Sequence, residues 1–110
     1  MKKKSFRTII KESKMDIEAM KEKFVESVYY KSNRLSGGRI EPLYGADSEQ
    51  QGWWLIFDCP EAFSVTADEL ESMEAFFSDL DWMCEGFRFV KAWVHYDGSC
   101  HIWFAFNLDW

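Results

Sequence analysis

The middle of this sequence contains no basic residue. Residues 40–87 hold twelve carboxylates and neither Lys nor Arg, the first 39 residues hold eleven bases and five acids, and the rest hold two of each, so the net charge is −6. Such a field attracts cationic surfaces and repels nucleic acid and anionic membranes. We therefore expect a basic protein surface as partner, and no direct contact with nucleic acid or membrane.

Motifs for phosphate, metal and membrane are also missing. No G-x-x-x-x-G-K-[ST], G-x-G-x-x-G or C-x-x-C segment occurs, and no apolar run approaches the length of a membrane span. The residues after Met1-Lys2-Lys3-Lys4 are too polar for a signal peptide. The three cysteines (Cys59, Cys84 and Cys100) are odd in number and widely spaced, which favours a reducing compartment. We therefore expect a cytoplasmic protein without a cofactor. The alternative is a zinc site formed by these three cysteines and a histidine.

Length and aromatic content indicate one folded domain. The 110 residues include six Trp, ten Phe and four Tyr, a composition unlike that of disordered chains. Residues 1–12 are basic and weakly patterned, and are predicted to form an N-terminal arm or a short first element. The whole chain, residues 1–110, is then a single acidic domain.

Capping and turn signals divide the rest of the chain into six elements. A first helix is predicted from Ser13 to the glycine pair Gly37-Gly38, and a second from the capping box at Thr66 to Gly86. Strands are predicted over 39–44 and 53–58, and a hairpin around Asp97-Gly98. The expected fold is α+β, with two helices on one face of a three- to four-stranded antiparallel sheet and the order α-β-β-α-β-β.

The hairpin register predicts which side chains meet the helices. A two-residue turn pairs Tyr96 with Ser99. The more apolar face, expected under the helices, then carries Phe87, Phe89, Lys91, Trp93 and His95 with Cys100, Ile102, Phe104, Phe106 and Leu108. The opposite face carries Arg88, Val90, Ala92, Val94 and Tyr96 with Ser99, His101, Trp103, Ala105 and Asn107. Trp103 is there expected to lie under the N-terminal arm or at the centre of an interface.

An acidic ridge on the second helix is the predicted partner-binding site. Four carboxylates fall within about 80° of one another on a helical projection, and Ser78 completes their row; they are Glu71, Glu74, Asp81 and Glu85. No Lys or Arg lies at i+4 to relieve the repulsion, although an ordinary solvated helix surface is the alternative. Reversing Glu71, Glu74 and Asp81 together is expected to weaken binding and to leave the fold intact.

Trp82 is the predicted aromatic anchor of this site. It lies outside the core stripe of the helix, and a large aromatic ringed by polar groups is typical of a binding hot spot. The alternative places it under a neighbouring loop, such as 46–52. The enzyme alternative instead pairs His95 with Cys100 as base and nucleophile across the hairpin.

Together these features predict a non-enzymatic inhibitor that presents an acidic, aromatic surface to the basic groove of a nuclease or another nucleic-acid-binding enzyme. In size and charge the chain resembles phage anti-CRISPR and anti-restriction proteins, and also immunity proteins that neutralise nuclease toxins. Immunity against a toxin, a small Cys/His enzyme and a homodimer formed through the aromatic sheet face remain the alternatives.

Overall fold

The computed structural model describes residues 5–60, 65–84 and 86–108, apart from the side chains of Phe6 and Leu108. Its elements are, in order, helices α1 (Phe6–Val25) and α2 (Val28–Ser32), strands β1 (Ser36–Tyr44) and β2 (Gln50–Asp58), helix α3 (Ala67–Asp79), a 3₁₀ turn (Asp81–Met83), and strands β3 (Phe87–Tyr96) and β4 (Cys100–Leu108). The strands form one antiparallel sheet in the order β1-β2-β4-β3. The predicted α+β fold and its α-β-β-α-β-β order are confirmed, with α2 as an additional short helix. No helix of these residues is long and apolar enough to cross a membrane.

Helix α1 begins earlier and ends earlier than predicted. Ser5 is its N-cap and accepts a hydrogen bond from the Thr8 amide at 3.2 Å, so residues 6–12 are helical. The predicted start at Ser13 is wrong, because this side chain is 1% exposed inside the helix and donates to the Ile10 carbonyl at 2.7 Å. The predicted end at Gly37-Gly38 is also wrong: both glycines have positive φ and lie in β1, beside a register shift.

The core lies between the helices and one face of the sheet. Phe24 of α1 stacks on Phe77 of α3, with ring centroids 5.0 Å apart, and both rings contact Phe104 of β4. Ile17, Met20, Met73, Leu55, Phe57, Ile102 and Phe106 complete the fully buried part of this cluster. Burying each large apolar side chain contributes roughly 1.5–3 kcal/mol, so this aromatic layer fixes both helices on the same face.

The β3–β4 hairpin departs from the predicted register at two places. Tyr96 pairs with Cys100 rather than Ser99, across a three-residue loop, and Val90 is an extra residue between the Phe89–Phe106 and Lys91–Ala105 pairs. A bulge of one residue moves all following side chains to the other face. Phe87 and Phe89 therefore lie under the helices as predicted, and Val90 is exposed.

Beyond the bulge the face assignment of β3 is reversed. Ala92 pairs with core Phe104 and is buried, whereas the prediction placed it on the opposite face. Lys91, Trp93 and His95, predicted under the helices, instead lie on the face that no helix covers. The predicted assignment for β4 is correct, because its register against β2 places Phe104 and Ile102 beside core residues.

Candidate binding surfaces

Helix α3 presents an exposed acidic surface. Thr66 is the N-cap of the helix, and its hydroxyl oxygen accepts a hydrogen bond from the Glu69 amide at 3.1 Å. Asp68 and Glu69 therefore lie in the first turn, where the helix dipole favours acidic side chains. The exposed side of the helix, extended by one aromatic residue of the 3₁₀ turn, is called the acidic surface below; it comprises Asp68, Glu71, Ser72, Ala75, Ser78, Asp79 and Trp82. Since α3 contains neither Lys nor Arg, no base of its own helix neutralises these carboxylates.

Two of the predicted site carboxylates have structural partners. Glu74 accepts a hydrogen bond from the Ala92 amide at 2.9 Å, and Asp81 accepts one from the Phe89 amide at 3.2 Å. Both amides belong to β3, an edge strand, on either side of the bulge at Val90. An edge strand has unpaired N–H groups, and these carboxylates satisfy two of them. Reversing the charges of Glu74 and Asp81 would therefore damage the fold, contrary to the sequence-based expectation.

The predicted acidic ridge is not continuous. Helix α3 ends at Asp79, and Asp81 already belongs to the 3₁₀ turn, so the row predicted along one helix stops after Ser78. Glu71 and Ser78 are exposed where they were predicted to be. Glu85 lies outside the described residues.

Trp82 is exposed, as predicted. Its side chain is 76% exposed on the 3₁₀ turn, while Leu80 and Met83 on either side pack against the core. The alternative position under the 46–52 loop is thereby excluded. An exposed indole at the end of an acidic helix surface combines an apolar anchor with a charged surround.

A second surface is formed by three tryptophans on the sheet face away from the helices. Trp54 of β2 contacts Trp103 of β4 and Trp93 of β3, with ring centroids 5.3 and 5.5 Å apart. Of the two alternatives for Trp103, the position under the N-terminal arm is wrong for residues 5–12, the described part of that arm. The first turns of α1 instead lie beside Trp53 on the opposite face, where its indole N–H donates to the Ile10 carbonyl at 3.1 Å. The bulge at Val90, which places Trp93 in this group, carries no clear signal in the sequence.

A cleft whose charged side chains are mainly basic lies beside Trp53. It has a volume of about 520 Å³ and is lined by Arg7, Ile10, Lys11, Lys14, Glu49, Gln50 and Trp53. The Lys14 ammonium lies 5.5 Å from the Trp53 ring centroid, within cation–π range. The bases at this cleft lie in the first three turns of α1, a helix that holds five bases and four acids overall, whereas α3 holds acids alone.

The predicted Cys–His pair is not formed. His95 pairs with His101 on the tryptophan face, whereas Cys100 is buried on the helix-facing side opposite Tyr96. Burial, followed by the carboxylates of Asp16 and Asp81, raises the pKa of Cys84 to about 12. Burial and the neighbouring Cys100 also raise the pKa of Cys59. A protonated thiol is a poor nucleophile and a poor metal ligand. Within the described ranges, no three His, Cys, Asp or Glu side chains are placed to hold a metal ion.

A hydrogen-bonded relay at the hairpin end was not predicted. His101 bridges Asp58 Oδ1, 2.8 Å from its Nδ1, and Ser99 Oγ, 2.7 Å from its Nε2. Ser99 also donates to Asp97 Oδ1 at 3.2 Å. The relay ties β4 to β2 and to the hairpin loop, and it has the connectivity of a Ser-His-Asp triad. Asp97, Ser99 and His101 lie close together in sequence without a motif, and Asp58 lies 43 residues before His101, so no sequence signal indicates the relay.

Comparison with protein-family models, curated proteins and solved structures found no match to this chain. The candidate surfaces are therefore defined by the geometry and charge of this chain alone.

Proposed function

We propose that this chain is a non-enzymatic cytoplasmic inhibitor whose acidic surface docks in the basic groove of a nucleic-acid-binding enzyme, such as a nuclease of a CRISPR or restriction system. The observation that carries the proposal is Trp82, which is 76% exposed at the end of a helix surface without a single base. A nuclease toxin has a groove of the same chemistry, so immunity against such a toxin is the variant of this proposal.

Electrostatics supports a basic partner. Like charges on one helix repel by a few tenths of a kcal/mol per pair, and a groove lined with Lys and Arg would relieve that repulsion. Attraction of this kind mainly raises the association rate, and it weakens with salt because the Debye length is about 8 Å at physiological ionic strength.

Trp82 supplies the affinity that exposed charges lack. Surface ion pairs contribute about 0–1 kcal/mol each, whereas truncating a central interface Trp costs on the order of 2–4 kcal/mol of binding. Because Trp82 is already exposed, little of the fold is lost when it is removed.

Inhibition of a panel of purified nucleases tests the proposal. For an inhibited nuclease, Trp82→Ala is expected to raise the Kd at least tenfold, and the triple reversal Asp68→Lys, Glu71→Lys, Asp79→Lys to slow association. Tyr44→Ala, which removes another exposed aromatic, and reversal of the exposed Glu18, Glu26 and Asp47 are the matched controls.

Melting temperatures of the other variants should stay close to that of the wild type, and that of the triple reversal should fall slightly, because Asp68→Lys places a cation in the first turn of α3, where the helix dipole favours an acid. Binding that survives both Trp82→Ala and the triple reversal, or that is the same at roughly 0.15 and 0.5 M salt, contradicts the proposal. The nuclease that is inhibited, from a defence system or from a toxin, decides between the two variants.

The relay at the hairpin end favours acyl transfer as a second candidate function. In that case the Ser99 hydroxyl turns its proton from Asp97 to His101 Nε2, and Ser99 Oγ attacks an ester carbonyl. The alcohol leaves with the proton held by His101, and water then releases the acyl group from Ser99, as in serine hydrolases. A fluorophosphonate probe should then label the wild type and not Ser99→Ala or His101→Ala. If the wild type is not labelled, the relay has only its structural role.

A further inference from the structure

We infer that the tryptophan face of the sheet is the interface of a symmetric homodimer. Its centre is apolar and comprises Trp54, Ile56, Trp93, Trp103 and Ala105, a set called the open face below. The inference does not depend on the proposed inhibitor function, because it concerns the side of the sheet opposite α3.

The described helices leave this face uncovered. The core side chains of α1 and α3 pack against the other side of the sheet. On the open face the indole rings lie over their neighbours, so that Ile56 is 1% and Ala105 3% exposed, while Trp93 at the edge remains 39% exposed. A contiguous aromatic patch of this kind is a mark of protein association, since monomers rarely expose large apolar areas.

The charges around the patch fit a second copy of the same face. Its rim carries Arg39, Arg88 and Lys91 against Glu41 and Asp58, a near balance within a chain of net charge −6. Such a balance suits a partner face with the same mixture, whereas nucleic acid would be repelled by the overall charge.

The register makes the rim complementary to itself. Glu41 on β1 pairs with Trp54, Trp54 with Ala105, and Ala105 with Lys91 on β3, so one row across the sheet has an acid at one edge and a base at the other. A two-fold axis parallel to the strands places β1 of one copy over β3 of the other. Glu41 of each copy then meets Lys91 of its partner, twice per dimer, as an isologous interface requires.

The available area predicts a weak dimer. Four strands spaced about 4.8 Å apart, each contributing about seven residues, form a face of roughly 19 by 23 Å. Two such faces bury about 900 Å² if they are treated as flat, without the additional area of protruding side chains. Stable interfaces bury at least about 1,200 Å² in total, so we expect a weak dimer with a dissociation constant in the micromolar range. The acidic surfaces lie on the far side of each sheet, so the dimer would carry two of them facing outwards.

Sedimentation velocity between roughly 1 and 300 µM tests the inference. The wild type should shift from monomer to dimer over this range, and Trp93→Glu should raise the dimer dissociation constant at least tenfold. Trp82→Ala and Tyr44→Ala, which remove exposed aromatics elsewhere, should leave it unchanged. Circular dichroism and melting temperature show whether Trp93→Glu remains folded.

A charge exchange keeps the test decisive if Trp93→Glu does not fold. Glu41→Lys and Lys91→Glu should each weaken the dimer several-fold, and the double variant should restore most of the affinity. A wild type that remains monomeric to 300 µM overturns the inference, as does a dimer that ignores both the charge exchange and Trp93→Glu.

Discussion

Removal of the Glu74 carboxylate should destabilise the edge of the sheet. The Glu74 side chain is half-buried, and its Oε2 accepts the Ala92 amide at 2.9 Å beside the bulge of β3. A hydrogen bond to a charged group contributes about 1.5–3 kcal/mol, and a buried amide left without a partner costs about 1–3 kcal/mol. We therefore expect Glu74→Ala to lower the free energy of unfolding by about 2 kcal/mol.

Two variants separate the hydrogen bond from the charge and from the helix. Glu74→Gln keeps an acceptor oxygen but loses the charge, so its effect should be about 1 kcal/mol. Glu71→Ala removes an exposed carboxylate of the same helix and should change stability by less than about 0.5 kcal/mol.

Urea unfolding and amide exchange measure these effects. With a slope of about 1.5 kcal/mol/M, a loss of 2 kcal/mol lowers the urea midpoint by about 1.3 M. Exchange of the Ala92 amide should accelerate in Glu74→Ala by more than that of amides paired with β4. If Glu71→Ala and Glu74→Ala destabilise equally, or if the Ala92 amide keeps its protection, Glu74 is a solvated surface acid and the structural role assigned to it is wrong.

Two further predictions concern Trp53 and Cys84. Trp53→Phe removes the donor to Ile10 and Ser13, at 3.1 and 2.9 Å, and should cost about 1–2 kcal/mol in urea unfolding, with no change in the position of α3. The pKa of Cys84 is raised from 9.0 to about 12, so the native state keeps its thiol proton longer than the unfolded chain. The contribution of this thiol to the free energy of unfolding is therefore complete below pH 9 and falls as the pH rises towards 12. The free energy of unfolding should then fall less between pH 9 and 12 in Cys84→Ala than in the wild type, which urea unfolding at several pH values would measure.

The element order could be predicted because its signals are local. The Thr66 cap, the apolar run after Trp53 and the turn at Asp97-Gly98 each depend on residues close in sequence. The start of α1 was missed because Ser13 resembles a cap, while the cap that forms is Ser5, eight residues earlier. Only burial beside Trp53 shows that the Ser13 hydroxyl is used inside the helix.

The binding surface could be predicted only in part, because a carboxylate's partner can be a backbone group far along the chain. Glu71, Glu74 and Asp81 look alike on a helical projection, but the bulge at Val90 brings two unpaired amides beside Glu74 and Asp81 and none beside Glu71. The same bulge moves Trp93 from the predicted core to the open face. One inserted residue thus reduces the acidic surface and enlarges the aromatic one. A charge count along the sequence therefore overstates the surface that remains for a basic partner, and Asp68, Glu71 and Asp79 are the carboxylates on which the inhibitor hypothesis now depends.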